Sequence, residues 1–149
     1  MRIASQQVSE SASQLLGSSM SGTLGSKNGA RTRHYRDLHV WQKSMELART
    51  VYRETETLPK AELYGLQSQM RRAAVSVPSN IAEGHGRLDD GYFRQFLATS
   101  RGSLFELQTQ VELAGDLSLL SSETARRLME SCDEVARLIN GLLGALEEA

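Results

Sequence analysis

One cysteine, Cys132, and two prolines, Pro59 and Pro78, are all that the 149 residues hold of those types. A lone cysteine excludes an internal disulfide framework and any multi-cysteine zinc site, and it fits a reducing compartment, the cytoplasm. No run of about 18 apolar residues occurs, so no transmembrane helix and no membrane partner are expected. Neither sign of charge dominates. Lys and Arg total 17 against 18 Asp and Glu, a net charge of -1, which excludes a uniformly basic coat. Aromatics make up only 5 % of residues, too few for an extended platform on which bases could stack.

The chemistry of common enzyme sites is missing as well. Helical metal sites use Glu-x-x-His, because residues three apart share a helix face. No such pair occurs; Glu83 and His85 are two apart and would diverge by about 200° on a helix. His34 and His39 are five apart, near the start of the patterned region. There is no Gly-Lys-Ser/Thr phosphate loop and no Gly-x-Ser-x-Gly nucleophile turn. Gly84-His85-Gly86 reads as a helix stop. Cys132 falls on an apolar stripe as a small core residue. Asp89 and Asp90 suit a helix N-terminus. Nothing brings together a nucleophile, a base and an orienting group, so no catalytic residue, no metal, no cofactor and no enzymatic activity are expected.

What is there begins with a charge asymmetry. Residues 1–101 carry 14 basic and 9 acidic side chains, and residues 102–149 carry 3 and 9. Either the opposite halves face one another, within or between subunits, or the basic part meets phosphate. Residues 1–30 hold eight serines and four glycines with few apolar residues, too little to offset the entropy of ordering them. Residues 1–34 are therefore expected to form a flexible arm, with at most a transient turn around 8–16. The remainder, 35–149, is expected to be one domain.

That domain reads as four helices. The first spans about 37–57, with Asp37 as N-cap, Pro59 as stop and an apolar stripe of Leu38, Trp41, Met45, Ala48 and Tyr52. The second stripe, Leu63, Leu66, Met70, Ala73, Val77, Ile81 and Gly84, runs in phase through Pro78. This favours one kinked helix over 61–86, ended by Gly84 and Gly86, above a break at 76–77 capped by Ser79 or Asn80. The third opens at Asp89 and Asp90 and carries Phe93, Phe96 or Leu97, Ser100, Ser103 or Leu104, Leu107, Val111 and Ala114. Gly115 and 117–120 form a turn. Ser121 or Ser122 caps the fourth helix, whose stripe is Ala125, Leu128, Cys132, Val135, Leu138 or Ile139, Leu142 and Leu146. No segment alternates like a strand. Short connections then predict an all-α, antiparallel up-down-up-down four-helix bundle.

The polar residues of the second helix need an explanation. Arg72, Ser76, Ser79 or Asn80, Glu83 and Arg87 step along one side. One reading is structural: a packed network of Ser76, Asn80, Glu83 and Ser103, with Asn80 bonding carbonyls freed by Pro78. The other is a polynucleotide surface with Arg71, Arg72, Arg87, Arg94 and Arg101 on phosphates. Arginine suits bidentate phosphate contacts better than lysine does.

Several segments carry a resemblance. They are Tyr35-Arg36-Asp37-Leu38, Val40-Trp41-Gln42, Leu58-Pro59, Tyr64-Gly65-Leu66 and Gln69-Met70-Arg71-Arg72-Ala73-Ala74. The most specific is Val75-Ser76-Val77-Pro78-Ser79-Asn80-Ile81-Ala82-Glu83-Gly84, followed by Gly86-Arg87. Phe96-Leu97, Gly102-Ser103-Leu104 and Glu106-Leu107 complete the set. Over about 35–147 the chain resembles the 23S rRNA intervening-sequence proteins. The resemblance implies an antiparallel four-helix bundle. It also implies similarity to the accessory variability protein of diversity-generating retroelements, a homopentamer that binds nucleic acid and a reverse transcriptase. It carries over no catalytic residue and no cofactor. The expected partners are therefore further copies of the chain, in a homopentamer, with RNA or another nucleic acid, and a reverse transcriptase.

Overall fold

The computed structural model describes residues 33–148. All but two residues of the expected 1–34 arm, and the turn expected around 8–16, lie outside the described residues. Among those described, four α-helices account for the domain: α1 (His39–Thr55), α2 (Leu66–Gly86), α3 (Asp90–Asp116) and α4 (Ser122–Glu148). Short 3-10 turns at Tyr35–Asp37 and Lys60–Glu62 precede α1 and α2. Each helix packs on its neighbours in chain order, α4 closes back on α1, and the diagonal pairs stay apart. Cross-helix partners run in opposite order along each pair, for example Arg94 with Glu147 and Gln108 with Asp133, so neighbours are antiparallel. The expected all-α bundle is the fold.

Boundaries moved for identifiable reasons. Asp37 is not the N-cap of α1: it sits in the 3-10 turn, and Leu38, buried, takes the cap position. The buried side of α1 is Val40, Ser44, Leu47, Ala48, Val51 and Thr55. Trp41 and Met45 are only half-buried, and Tyr52 is 45 % exposed. The expected stripe is therefore rotated by about one residue. Two hydroxyls on the true core face hid it. Ser44 donates to the Val40 carbonyl and Thr55 to the Val51 carbonyl, both at 2.6 Å, so neither presents an unmet polar group to the core.

Helix α2 starts at Leu66 rather than 61, and Leu63, 48 % exposed, is not part of its seam. From Leu66 the seam holds. Leu66, Met70, Ala73, Val77, Ile81 and Gly84 are buried, and the helix continues unbroken through a buried Pro78. Gly84 does not end it. A Cβ at Gly84 would lie 2.5 Å from the Phe96 Cβ, so this glycine lets α3 approach. The left-handed residue after the helix is instead Leu88, at φ 59°. Asp89 Oδ1 then accepts from the Tyr92 N–H at 3.0 Å and starts α3. Gly115 belongs to α3 rather than to the turn after it. Ser121 Oγ accepts from the Thr124 N–H at 3.1 Å at the head of α4.

The tightest pair is α2 with α3. Ser100 Oγ donates to the Val77 carbonyl at 2.8 Å, a buried bond from one helix to the backbone of the other. Ser76 and Ser103 hydroxyls meet at 2.8 Å. Such contacts form only where the side chains between two helices are small.

Gly84→Ala is expected to lower stability by about 1–3 kcal/mol despite the better helix propensity of alanine, because Phe96 Cβ cannot yield without backbone movement. Gly102→Ala, with nothing within 4 Å of the added carbon, is expected to raise stability by about 0.5–1 kcal/mol. Urea unfolding of the two variants checks the contrast.

Candidate nucleic-acid interface

The network expected on α2 is partly assembled. Asn80 Nδ2 donates to the Ser76 carbonyl at 2.8 Å and to Ser76 Oγ at 2.9 Å, and Ser76 continues to Ser103. Glu83 does not join it. That carboxylate is exposed, with Oε1 3.2 Å from Arg87 Nη2. Asn80 does not serve the carbonyl that Pro78 leaves without a partner, which is that of Ala74, four residues earlier. The Ser79 hydroxyl donates one residue on, to the Val75 carbonyl at 2.7 Å.

The five arginines singled out in the sequence are not brought to one face. Arg71 reaches across to α1. Its Nε donates to Thr55 Oγ1 at 3.0 Å, its Nη2 to the Tyr52 carbonyl at 3.1 Å, and its guanidinium lies 4.6 Å from the centre of the Tyr52 ring. The Tyr52 carbonyl is among the last four of α1, and the Glu56 N–H turns to Arg53 instead; beside a 3.4 Å contact from the Thr55 hydroxyl it takes the Arg71 guanidinium, which acts as a latch on the end of that helix. Arg72 is exposed and has no ion-pair or hydrogen-bond partner among the described residues. Arg87 is paired with Glu83 and lies over Phe96.

Arg94 and Arg101 face the other way, toward α4. Arg94 Nη2 pairs with Glu147 Oε1, Arg101 Nη1 donates to Asn140 Oδ1 at 3.0 Å, and Gln108 Nε2 donates to Asp133 Oδ1 at 2.8 Å. The three donors are spaced seven residues apart on α3, and the three acceptors seven apart on α4 in reverse. This is a ladder along an antiparallel seam, the spacing expected where two helices keep one face together. Because α1–α2 and α3–α4 lie on opposite sides of the ring, Arg71 and the Arg94–Arg101 pair are on opposite sides of the molecule. Part of the charge asymmetry is satisfied within the chain, through Arg94 with Glu147 and Lys43 with Glu134 at 3.7 Å.

Two arginines outside the expected set complete the α1–α2 side. Arg49 and Arg53 are exposed on α1, four residues apart, and no carboxylate lies within 4 Å of either among the described residues. Arg53 Nη2 donates only to Thr50 Oγ1, at 3.2 Å. Like charges at this spacing repel by a few tenths of a kcal/mol. The carboxylates of α1 on this stretch are Glu46, held by Lys43 at 3.3 Å, and Glu54, near Arg127 at 3.9 Å, with Glu56 just beyond the helix. The sequence carried no clear signal for this face, since Glu46 stands three residues before Arg49 and Glu56 three after Arg53; only the structure shows Glu46 taken by Lys43 and Glu56 beyond the helix.

Among the described residues no three His, Cys, Asp or Glu side chains cluster as metal ligands, and no helix is long and apolar enough to cross a membrane. Cys132 is fully buried, and burial, with the Asp133 carboxylate adding to it, pushes its thiol from the usual 9.0 up to about 12.

The arrangement defines a small antiparallel four-helix bundle with polar ladders along its seams, in which Arg49, Arg53, Arg71 and Arg72 of α1 and α2, and Arg137 of α4, have no carboxylate within 4 Å among the described residues. Residues 36–141 match the family of the 23S rRNA-intervening sequence protein, and the chain belongs to that family. No curated protein matches the chain.

Arg71→Ala is expected to cost about 1–2 kcal/mol, since it strips a carbonyl and a hydroxyl of a charged donor. Arg72→Ala should stay within about 0.5 kcal/mol of the parent; thermal melts of both distinguish latch from free cation. The Cys132 thiol is expected to be inert to a disulfide reagent at pH 8 until the chain unfolds. Above pH 9 the unfolded thiol ionises while the folded one does not, so stability falls from there toward about pH 12. Cys132→Ala should remove that component of the pH profile.

Proposed function

We propose that this chain is a non-enzymatic, self-associating helical bundle that binds structured RNA through the α1–α2 face. The observation that carries the reading is the set Arg49, Arg53, Arg71 and Arg72. Four guanidiniums stand on adjoining helices, none within 4 Å of a carboxylate among the described residues. Guanidinium groups left without internal counter-charges favour an external anion, and a row of them fits a polyphosphate backbone. Arg87, Arg94 and Arg101 contribute less, the first two being already ion-paired. Contact is with phosphate and sugar, so affinity is strongly salt-dependent and carries little base sequence information.

Self-association is supported by a different surface. The outward positions of α2 and α3 include the exposed, uncharged Val75, Ser79, Gly86, Thr99, Gly102 and Leu113, with Arg72, Glu83 and Glu106 the charged residues among them. The outward positions of α4 are Glu123, Arg126, Glu130, Asp133 and Arg137. Charge depletion marks the centre of protein interfaces. The assembly proposed is a homopentamer, which would multiply a modest basic patch by avidity. A reverse transcriptase is the protein partner this reading allows. Sequencing the RNA and identifying the proteins that co-purify separates a ribosomal link from a retroelement one.

Light scattering should give a mass about five times that of the chain. In binding titrations over salt, replacing Arg49, Arg53 and Arg72 together by Gln should lower the slope of log K against log salt by about 2–3, at roughly 0.7–0.9 per lost phosphate contact. Arg94→Gln should leave the slope unchanged. A parent protein with no salt-dependent RNA binding would instead be a protein-binding scaffold.

A further inference from the structure

Arg71 differs from the other three arginines of this face. Among the described residues Arg72 and Arg49 have no hydrogen-bond or ion-pair partner, and Arg53 bonds only a hydroxyl of its own helix. The Arg71 guanidinium is fixed at two nitrogens, by Thr55 Oγ1 at 3.0 Å and by the Tyr52 carbonyl at 3.1 Å. Its Cζ stands over the Tyr52 ring, 4.6 Å from the ring centre. Its plane is set before any ligand arrives. No second ring and no carboxylate lies against it among the described residues, and Tyr52 beneath it is itself 45 % exposed.

A phosphate needs charge and donors but no plane, and a swinging arginine serves it as well. A flat delocalised cation held rigidly on an aromatic ring offers a stacking surface, and the flat partner in RNA is a base. In a paired helix the base faces are covered by their neighbours. In loops, bulges and ends they are open, and proteins take them on aromatic rings or guanidinium planes. We propose that the Arg71 guanidinium, seated on Tyr52, stacks one unpaired nucleobase of the bound RNA, so that this face selects single-stranded stretches over duplex.

This inference rests on the RNA-binding reading, and the two are separable by experiment. The full-length protein is titrated by fluorescence anisotropy, at one low salt concentration, with three labelled ligands of equal length. These are an oligouridylate, the same ribose-phosphate chain without bases, and an RNA duplex. The baseless chain keeps every phosphate, so it isolates stacking from charge. The oligouridylate is expected to bind at least about five-fold more tightly than the baseless chain, the lower end for one stacked base. It should also outcompete the duplex. Arg71→Lys, which keeps the charge and a donor for the Tyr52 carbonyl but has no plane, should bind oligouridylate and baseless chain alike. Equal binding of these two ligands by the parent protein overturns the stacking and leaves phosphate recognition standing. Binding to none of the three overturns both. The comparison within the parent protein holds even where the lysine variant is destabilised.

Discussion

The backbones of α2 and α3 come close enough for the Ser100 hydroxyl to donate to the Val77 carbonyl, 2.8 Å away, and for Phe96 to fill the space a side chain at residue 84 would need. This close approach is the constraint on which the rest depends. It requires Ser76, Ser100 and Ser103 to be small and their hydroxyls to be satisfied across the seam, because an unmet hydroxyl there would cost about 1–3 kcal/mol. It gives Gly84 a packing task inside the helix; the left-handed residue after α2 is Leu88, at φ 59°. It also places Pro78 within a helix held by a neighbour, which offsets the hydrogen bond that proline removes.

With the middle of the α2–α3 seam held by serines and its end by Gly84 against Phe93 and Phe96, large aliphatic side chains fill the rest of the core. Leu104 and Leu107 of α3 and Leu128, Ile139 and Leu142 of α4 fill the centre, and Val40, Leu47 and Val51 close it from α1. The α3–α4 seam is flanked by the ladder of Arg94, Arg101 and Gln108 against Glu147, Asn140 and Asp133. Exposed pairs of this kind contribute little stability singly, and their regular spacing serves register more than energy. Arginines in such a ladder already have partners and are poorly placed to neutralise a phosphate.

Function in this reading comes from what the packing leaves over. Arg71 is half latch and half surface: its nitrogens complete the end of α1, and no carboxylate among the described residues compensates its charge. Around it stand Arg49, Arg53 and Arg72, which take no part in holding the helices together. The fold thus separates two populations of arginine that look alike in the chain.

The sequence by itself determined the number of helices, their antiparallel order and the seam from Leu66 to Gly84, because apolar residues recurring at three and four, with capping residues between them, admit one assembly. The specific segment around Ser76-Val77-Pro78-Ser79-Asn80 likewise marked the family before any coordinates. It misplaced the core side of α1, where Ser44 and Thr55 are polar by type yet satisfied by their own helix. It also grouped five arginines that share a chemistry but not a side of the molecule. Only the tertiary structure decided which arginines are free, because that depends on carboxylates and amides brought from residues 39 to 53 positions away in the chain, and on which helix stands opposite which across the ring.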